Sequence, residues 1–115
     1  MSRAAVNNIC QKLPGAELSD PWGGGHDAWK VGGKMFACIG AVQDGVSVKT
    51  RDIETAQMLI DAGVGVKASY FHRSWIRLPL DAEPTEMRHR LLSSYDLVRA
   101  SLTKKLQATL PPRDD

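Results

Sequence analysis

The fold can be read outward from one stretch: His26-Asp27-Ala28-Trp29-Lys30-Val31-Gly32-Gly33-Lys34-Met35-Phe36-Ala37-Cys38-Ile39-Gly40-Ala41-Val42-Gln43-Asp44-Gly45-Val46-Ser47-Val48-Lys49. Two strand-like runs flank Gly32-Gly33, and a third follows Asp44-Gly45. Both dipeptides favour two-residue hairpin loops, because glycine takes positive φ at little cost and the primed turns match the twist of the strands they join. The stretch therefore predicts a three-stranded antiparallel meander. A two-residue loop at Gly32-Gly33 sets Val31 opposite Lys34, Lys30 opposite Met35 and Trp29 opposite Phe36. One at Asp44-Gly45 sets Val46 opposite Gln43, Val48 opposite Ala41 and Lys49 opposite Gly40. Opposed residues share a face and faces alternate along a strand. One face is then Met35, Ala37, Ile39, Ala41, Val46 and Val48, small and apolar, a bed for helices. Lys30 also falls there, near an edge where its stem can bend outward. The other face is Trp29, Val31, Lys34, Phe36, Cys38, Ser47 and Lys49, large rings mixed with cations.

The 115 residues predict one domain over 1–110 followed by a disordered tail, 111–115. A chain of this length buries roughly two-thirds of its unfolded surface and needs no metal or disulfide to fold. The formal net charge is only +2, so attraction to a charged partner has to come from local clustering. Cys10 and Cys38 both sit in apolar runs, which predicts two buried, reduced thiols. No leader sequence and no membrane-spanning run is expected, which places the protein in the cytoplasm.

Around the meander the remaining elements follow from apolar spacing. Residues 2–13 read as a helix capped by Ser2, with Ala5, Val6, Ile9, Cys10 and Leu13 on one face and Pro14-Gly15 as its stop. Residues 17–22 suit a first strand, which Pro21 confines to an edge. Gly23-Gly24-Gly25 precedes a strand rather than a helix, so it reads as a connector and not as a phosphate cradle. Residues 51–62 form a second helix, with Asp52 as cap, Ile53, Ala56, Leu59 and Ile60 as buried stripe and Gly63 as stop. Residues 63–67 read as a loop and 68–74 as a polar and aromatic connector. Trp75-Ile76-Arg77-Leu78-Pro79-Leu80 alternates as a last strand, with Ile76, Leu78 and Leu80 towards the helices and Trp75 and Arg77 away from them. From Pro84 onward, Met87, Leu91, Tyr95, Val98, Leu102 and Leu106 predict one continuous helix of about twenty-five residues. The expected class is α+β: an antiparallel sheet, a meander of three to five strands, with helices on one face.

Several of these blocks together resemble the MmcQ/YjbR family. They are Pro14-Gly15, Pro21-Trp22-Gly23, Trp29-Lys30-Val31-Gly32-Gly33-Lys34-Met35-Phe36-Ala37, Ser47-Val48-Lys49, Trp75 and Ser94-Tyr95-Asp96-Leu97-Val98. The resemblance covers nearly the whole chain in order. It implies a small bacterial cytoplasmic protein with a fold likened to CyaY and frataxin, and a double-wing DNA-binding role proposed for the family on structural grounds. Frataxin-like iron binding uses an acidic first helix. Residues 2–13 contain Arg3 and Lys12 and no carboxylate, so that role is not expected here.

The residues themselves predict no enzyme and no cofactor. His26, His72 and His89 lie outside any metal-ligand spacing, His26-Asp27 would point to opposite faces of a strand, and Ser93-Ser94 lacks a nucleophile elbow. Trp29, Phe36 and Trp75 with Lys34, Lys49 and Arg77 form the expected recognition surface, since rings stack on bases and cations neutralise phosphates. The leading expectation is therefore a non-enzymatic, monomeric nucleic-acid (DNA) binding module. The alternatives are a protein-interaction module on the same face, or a small-molecule or anion binder near Gly23-Gly24-Gly25, His26 and His72.

Overall fold

The computed structural model describes residues 1–41 and 45–113. In chain order the elements are α1 (Arg3–Gln11), β1 (Ala16–Ser19), β2 (Asp27–Val31), β3 (Lys34–Ile39), β4 (Gly45–Lys49), α2 (Ile53–Asp61), β5 (Val66–Lys67), β6 (Trp75–Pro79), α3 (Pro84–Ala100) and α4 (Lys104–Ala108). The strands form one antiparallel open sheet in the order β1-β2-β3-β4-β6-β5. The class is α+β as expected, but six strands exceed the three to five anticipated. The additional one is β5, two residues that the sequence presented as loop and that pair with β6 at the far edge.

Register was the expectation on which the faces depended, and the structure alters it in two places. Gly32 and Gly33 both have positive φ, 58° and 81°, as a tight primed turn requires, and Val31 faces Lys34 as predicted. Beyond Lys30–Met35, however, the ladder is broken by a bulge, so that Trp29 faces Ala37 instead of Phe36. The extra residue on β3 reverses the parity of everything earlier on β2. In the second hairpin Val48 faces Ala37 rather than Ala41, a shift of four residues along β3. An even shift preserves parity, so Ile39, Val46 and Val48 stay on the helix face as predicted. The expected bend itself includes Asp44, and the expected Val46–Gln43 pair includes Gln43; both residues lie outside the described ones, while Val46 is paired with Ile39.

The helices pack on the face that carries Val31, Phe36, Ala37, Ile39, Val46, Val48, Ile76 and Leu78. α3 lies across the centre and contributes Met87, Leu91, Tyr95 and Val98. Its Ser94 is fully buried and ties the layers together: its hydroxyl donates to the Phe36 carbonyl (2.6 Å), the oxygen at the bulge, and accepts from the Lys49 N–H (2.9 Å). Buried backbone groups left out of a ladder need such partners. α1 adds Val6 and Cys10, Leu13 follows just beyond its end, and Ser2 caps it as predicted. α2 starts at its Asp52 cap and buries Ala56, whereas Ile53, expected in its stripe, is 39% exposed.

The expectation of one continuous helix at the carboxyl end is corrected. The long helix breaks after Ala100: Ser101 turns its hydroxyl back to the Val98 carbonyl (2.6 Å), and extended Thr103 caps a new helix, α4, at the Leu106 N–H. The break lets Leu102 lie over Gly32, where a Cβ would come within 2.7 Å of its methyl groups. Leu110, Pro111 and Arg113 make contacts with α3. Arg99 donates to the Leu110 and Pro111 carbonyls, and Arg113 makes a two-pronged ion pair with Asp96 (2.8–2.9 Å). Asp114 and Asp115 lie outside the described residues.

Candidate functional site

The bulge divides the six residues expected to form the recognition surface. Trp29 is 5% exposed and Phe36 fully buried, both on the helix face, so neither ring can stack on a ligand. The Trp29 indole N–H donates to Asn7 of α1 (2.8 Å), the polar partner that a buried tryptophan needs. The Phe36 ring meets the Tyr95 ring edge-on, centroids 5.3 Å apart. Lys34 sits at the turn with its ammonium 3.5 Å from the Ser101 carbonyl, beside the end of α3 and not on the opposite face. Val31, also expected on the helix-free face, is core. Lys30 and Met35 exchange sides in the other direction: as partners flanking the bulge, they lie on the face without helices. Lys49, Trp75 and Arg77 are where they were predicted, with Lys49 opposite Trp75 and Ser47 opposite Arg77.

The helix-free face is nonetheless not bare. Ala28, Cys38 and Ser47 belong to it by register and are all at most 6% exposed. Two loops roof it from opposite halves of the sheet: residues 20–26 between β1 and β2, and residues 68–74 between β5 and β6. Between them lies a cleft of about 760 Å³, in the range of small-ligand sites. Its floor is made of small residues, Cys38, Gly40, Ala41, Gly45 and Ser47, with the Arg77 stem laid across Gly45. One wall is Trp22 and His26; the other is Ser69, Tyr70 and Phe71.

Each wall is built by local chemistry. In the first, the Asp20 carboxylate accepts from the Gly25 and His26 N–H groups (3.0 and 3.2 Å) and closes the loop on itself. Gly23, Gly24 and Gly25 all have positive φ, a run that only glycine adopts cheaply. Arg3 of α1 anchors the loop base, donating to the Gly25 carbonyl while pairing with Asp27 at 2.6 Å. The Trp22 ring, 60% exposed, leans on the His26 ring at 5.0 Å. In the second wall, Phe71 stacks on Trp75 at 4.7 Å, which leaves Tyr70 wholly in solvent. Tyr70 has φ 70°, a left-handed conformation that a bulky side chain adopts at a cost of order 1–3 kcal/mol.

The cleft offers stacking surface, the hydroxyls of Ser47, Ser69 and Tyr70, the His26 imidazole and the Arg77 guanidinium. Burial pushes the Cys38 thiol above its ordinary range, with the Arg3 charge acting the other way, so it presents a neutral S–H. Cys10 is likewise buried, and burial raises its thiol to about 12. Among the described residues, no cluster of three or more His, Cys, Asp or Glu is placed to hold a metal, and no helix is long and apolar enough to cross a membrane.

A second concavity of about 710 Å³ lies at the start of α2, lined by Lys49, Arg51, Asp52, Glu54, His72 and Trp75 among others. Two carboxylates at its rim disfavour an anion. His72 accepts from the Ser74 N–H (3.1 Å) through Nδ1, which puts the ring proton on Nε2. His26 and His72 thus line different hollows, and the structure does not join the glycine triplet and His72 into the single site that an anion binder there would use.

Trp22 and Tyr70 were not among the expected site residues. Trp22 had been placed in an edge strand, which ends earlier, at Ser19. The signal was present: an aromatic residue between Pro21 and three glycines has no strand or helix to carry it into a core. For Tyr70 no local pattern announced the positive φ.

No curated protein matches the chain. Among solved structures, the crystal structure of Deinococcus radiodurans protein DR2400, with a DUF419 domain, superposes with a TM-score of 0.82 at 23% identity, covering 92% of this chain and 85% of that one. At that identity the likeness speaks for the fold alone. The YjbR family model matches residues 11–97, from the end of α1 through most of α3. The match spans the sheet, both cleft loops and the Ser94–Tyr95 anchor, and the chain therefore belongs to the YjbR family.

Proposed function

We propose that the protein is a non-enzymatic, cytoplasmic nucleic-acid-binding module, and that it binds through the cleft on the helix-free face. The observation that carries this reading is the convergence of exposed aromatic side chains above a guanidinium. Trp22 and Tyr70 are 60% and 105% exposed, Phe71 beside Tyr70 in sequence is stacked on Trp75, and Arg77 lies on the floor. Exposed rings on a monomer of this size mark a contact surface, and rings beside cations suit nucleotides, in which π-faces alternate with phosphates. The strain at Tyr70 supports the same reading, because holding an aromatic ring in water at positive φ brings no stability. Of the expected residues only Arg77 lines the cleft, with Trp22, Tyr70 and Phe71 in place of Trp29 and Phe36, while Lys49 and Trp75 border the neighbouring hollow on the same face. The likeness to CyaY and frataxin enters only as a shared plan of helices on one side of a sheet, and iron binding is not part of the proposal.

The test is a titration with DNA at low and moderate salt, followed by tryptophan fluorescence in wild type and in Trp22→Phe, the difference isolating Trp22 from Trp29 and Trp75. Binding that quenches the signal and weakens in Tyr70→Gly and Arg77→Gln is expected. Absence of binding at low salt, or binding indifferent to both changes, refutes the reading.

A further inference from the structure

The shape and charge of the cleft select among nucleic acids, an inference that rests on the reading just given. Proteins that read intact duplex push a helix or ribbon into a major groove about 12 Å wide. Here the surface does the opposite. The sheet recedes between two raised loops, and its floor of Gly40, Ala41, Gly45 and Ser47 is the smallest part of the face. A paired base cannot descend into such a recess; an unpaired one can.

Charge points the same way. Tight duplex binding draws on many phosphate contacts, commonly six to ten. Among the described residues, register places Lys30, Lys49 and Arg77 as cations on the helix-free side of the strands, the roofing loop adds Arg73, and Glu17 stands opposite Lys30. Asp20 lies in the Trp22 wall. Neutralising a few phosphates cannot dominate the affinity, whereas the rings of Trp22 and Tyr70, set on the two walls, offer stacking that works on any exposed base.

We infer that the cleft between Trp22 and Tyr70 takes an unpaired nucleobase, so that the protein distinguishes single-stranded or extrahelical nucleotides from intact duplex. Ser47 and Arg77 on the floor would meet the polar edge or the adjoining phosphate.

Three labelled probes test this with the full chain: a blunt DNA hairpin, the same hairpin with one extrahelical adenine, and its unpaired strand. The extrahelical and single-stranded probes should bind at least tenfold tighter than the blunt one. Their salt dependence should be shallow, with a log–log slope of about −2 for three phosphate contacts. Trp22→Ala and Tyr70→Gly replace side chains that are mostly in solvent, so each should erase the preference while thermal unfolding stays cooperative. Equal binding of all three probes overturns the inference and leaves nucleic-acid binding standing. A preference that survives in both variants also overturns it. Binding to none of the probes refutes both readings together.

Discussion

The two faces of this sheet draw on the same residue types and use them for opposite ends. On the helix face, Trp29 and Phe36 are locked among α1 and α3, where the indole N–H meets Asn7 and the Phe36 carbonyl meets Ser94. On the other face, Trp22 and Tyr70 project from loops, and nothing in the described fold covers them. The blocks that carry the family resemblance, around Trp29–Ala37 and Ser94–Val98, mostly serve the first face. The candidate site takes Trp22 and Ser47 from two of the shorter blocks, but His26, Tyr70, Phe71 and Arg77 come from outside them. A residue block can thus identify a family through what holds the fold together, while binding is delegated to loops on a rigid base.

That contrast can be broken experimentally, beginning where the effect is greatest. Phe36→Ala empties a fully buried position against Tyr95 and should destabilise by about 3–5 kcal/mol in urea unfolding. Trp22→Ala removes a larger ring yet should stay within about 0.5 kcal/mol. Comparable losses for the two would erase the distinction between the faces. Ser94→Ala comes next. It leaves the Phe36 carbonyl and the Lys49 N–H without their partner, and should cost about 2–3 kcal/mol, measured as a shift of the urea midpoint at unchanged slope.

A pH experiment sharpens the link between α1 and β2. Burial by itself raises the Asp27 carboxyl, but hydrogen bonds from Asn7 and Arg3, with the Arg3 charge, outweigh it and hold the group below its ordinary value. A depressed carboxyl stabilises the fold above its unfolded pKa, about 3.9 for Asp, and loses that contribution as pH falls through the folded value. Wild type should therefore exceed Asp27→Asn in stability near neutral pH, and the gap should close below about pH 4. A gap independent of pH would remove Asp27 from that role. A small effect is also expected at Tyr70→Gly, where relief of the left-handed strain is partly offset by glycine's greater freedom when unfolded. Stability should change by no more than about 1 kcal/mol, upward if at all, while nucleic-acid binding weakens. A marked fall in stability would mean that Tyr70 supports the fold instead.

Local signals were legible where one residue decides the local geometry. The Gly32-Gly33 turn, the Ser2 and Asp52 caps, the Gly63 stop and the inward Ile76 and Leu78 all stand as read. The α3–α4 break was missed because apolar spacing ran through it, while Ser101 and Thr103 competed for the backbone. The candidate surface was half legible. Lys49, Trp75 and Arg77 depend on the β4–β6 pairing, which no bulge disturbs, whereas Trp29 and Phe36 sit at the one that interrupts β2–β3.

Read without coordinates, the chain already specified an antiparallel meander with helices on one side, because turn chemistry and apolar spacing act over a few neighbouring residues. Which side received the tryptophan of β2 was settled only in the packed molecule. A bulge is stable there because Asn7 and Ser94, distant in sequence, satisfy the groups around it, and a single added residue turns inside to outside for the whole strand before it. The cleft, likewise, exists only once two loops from opposite halves of the sheet are brought over the same small floor.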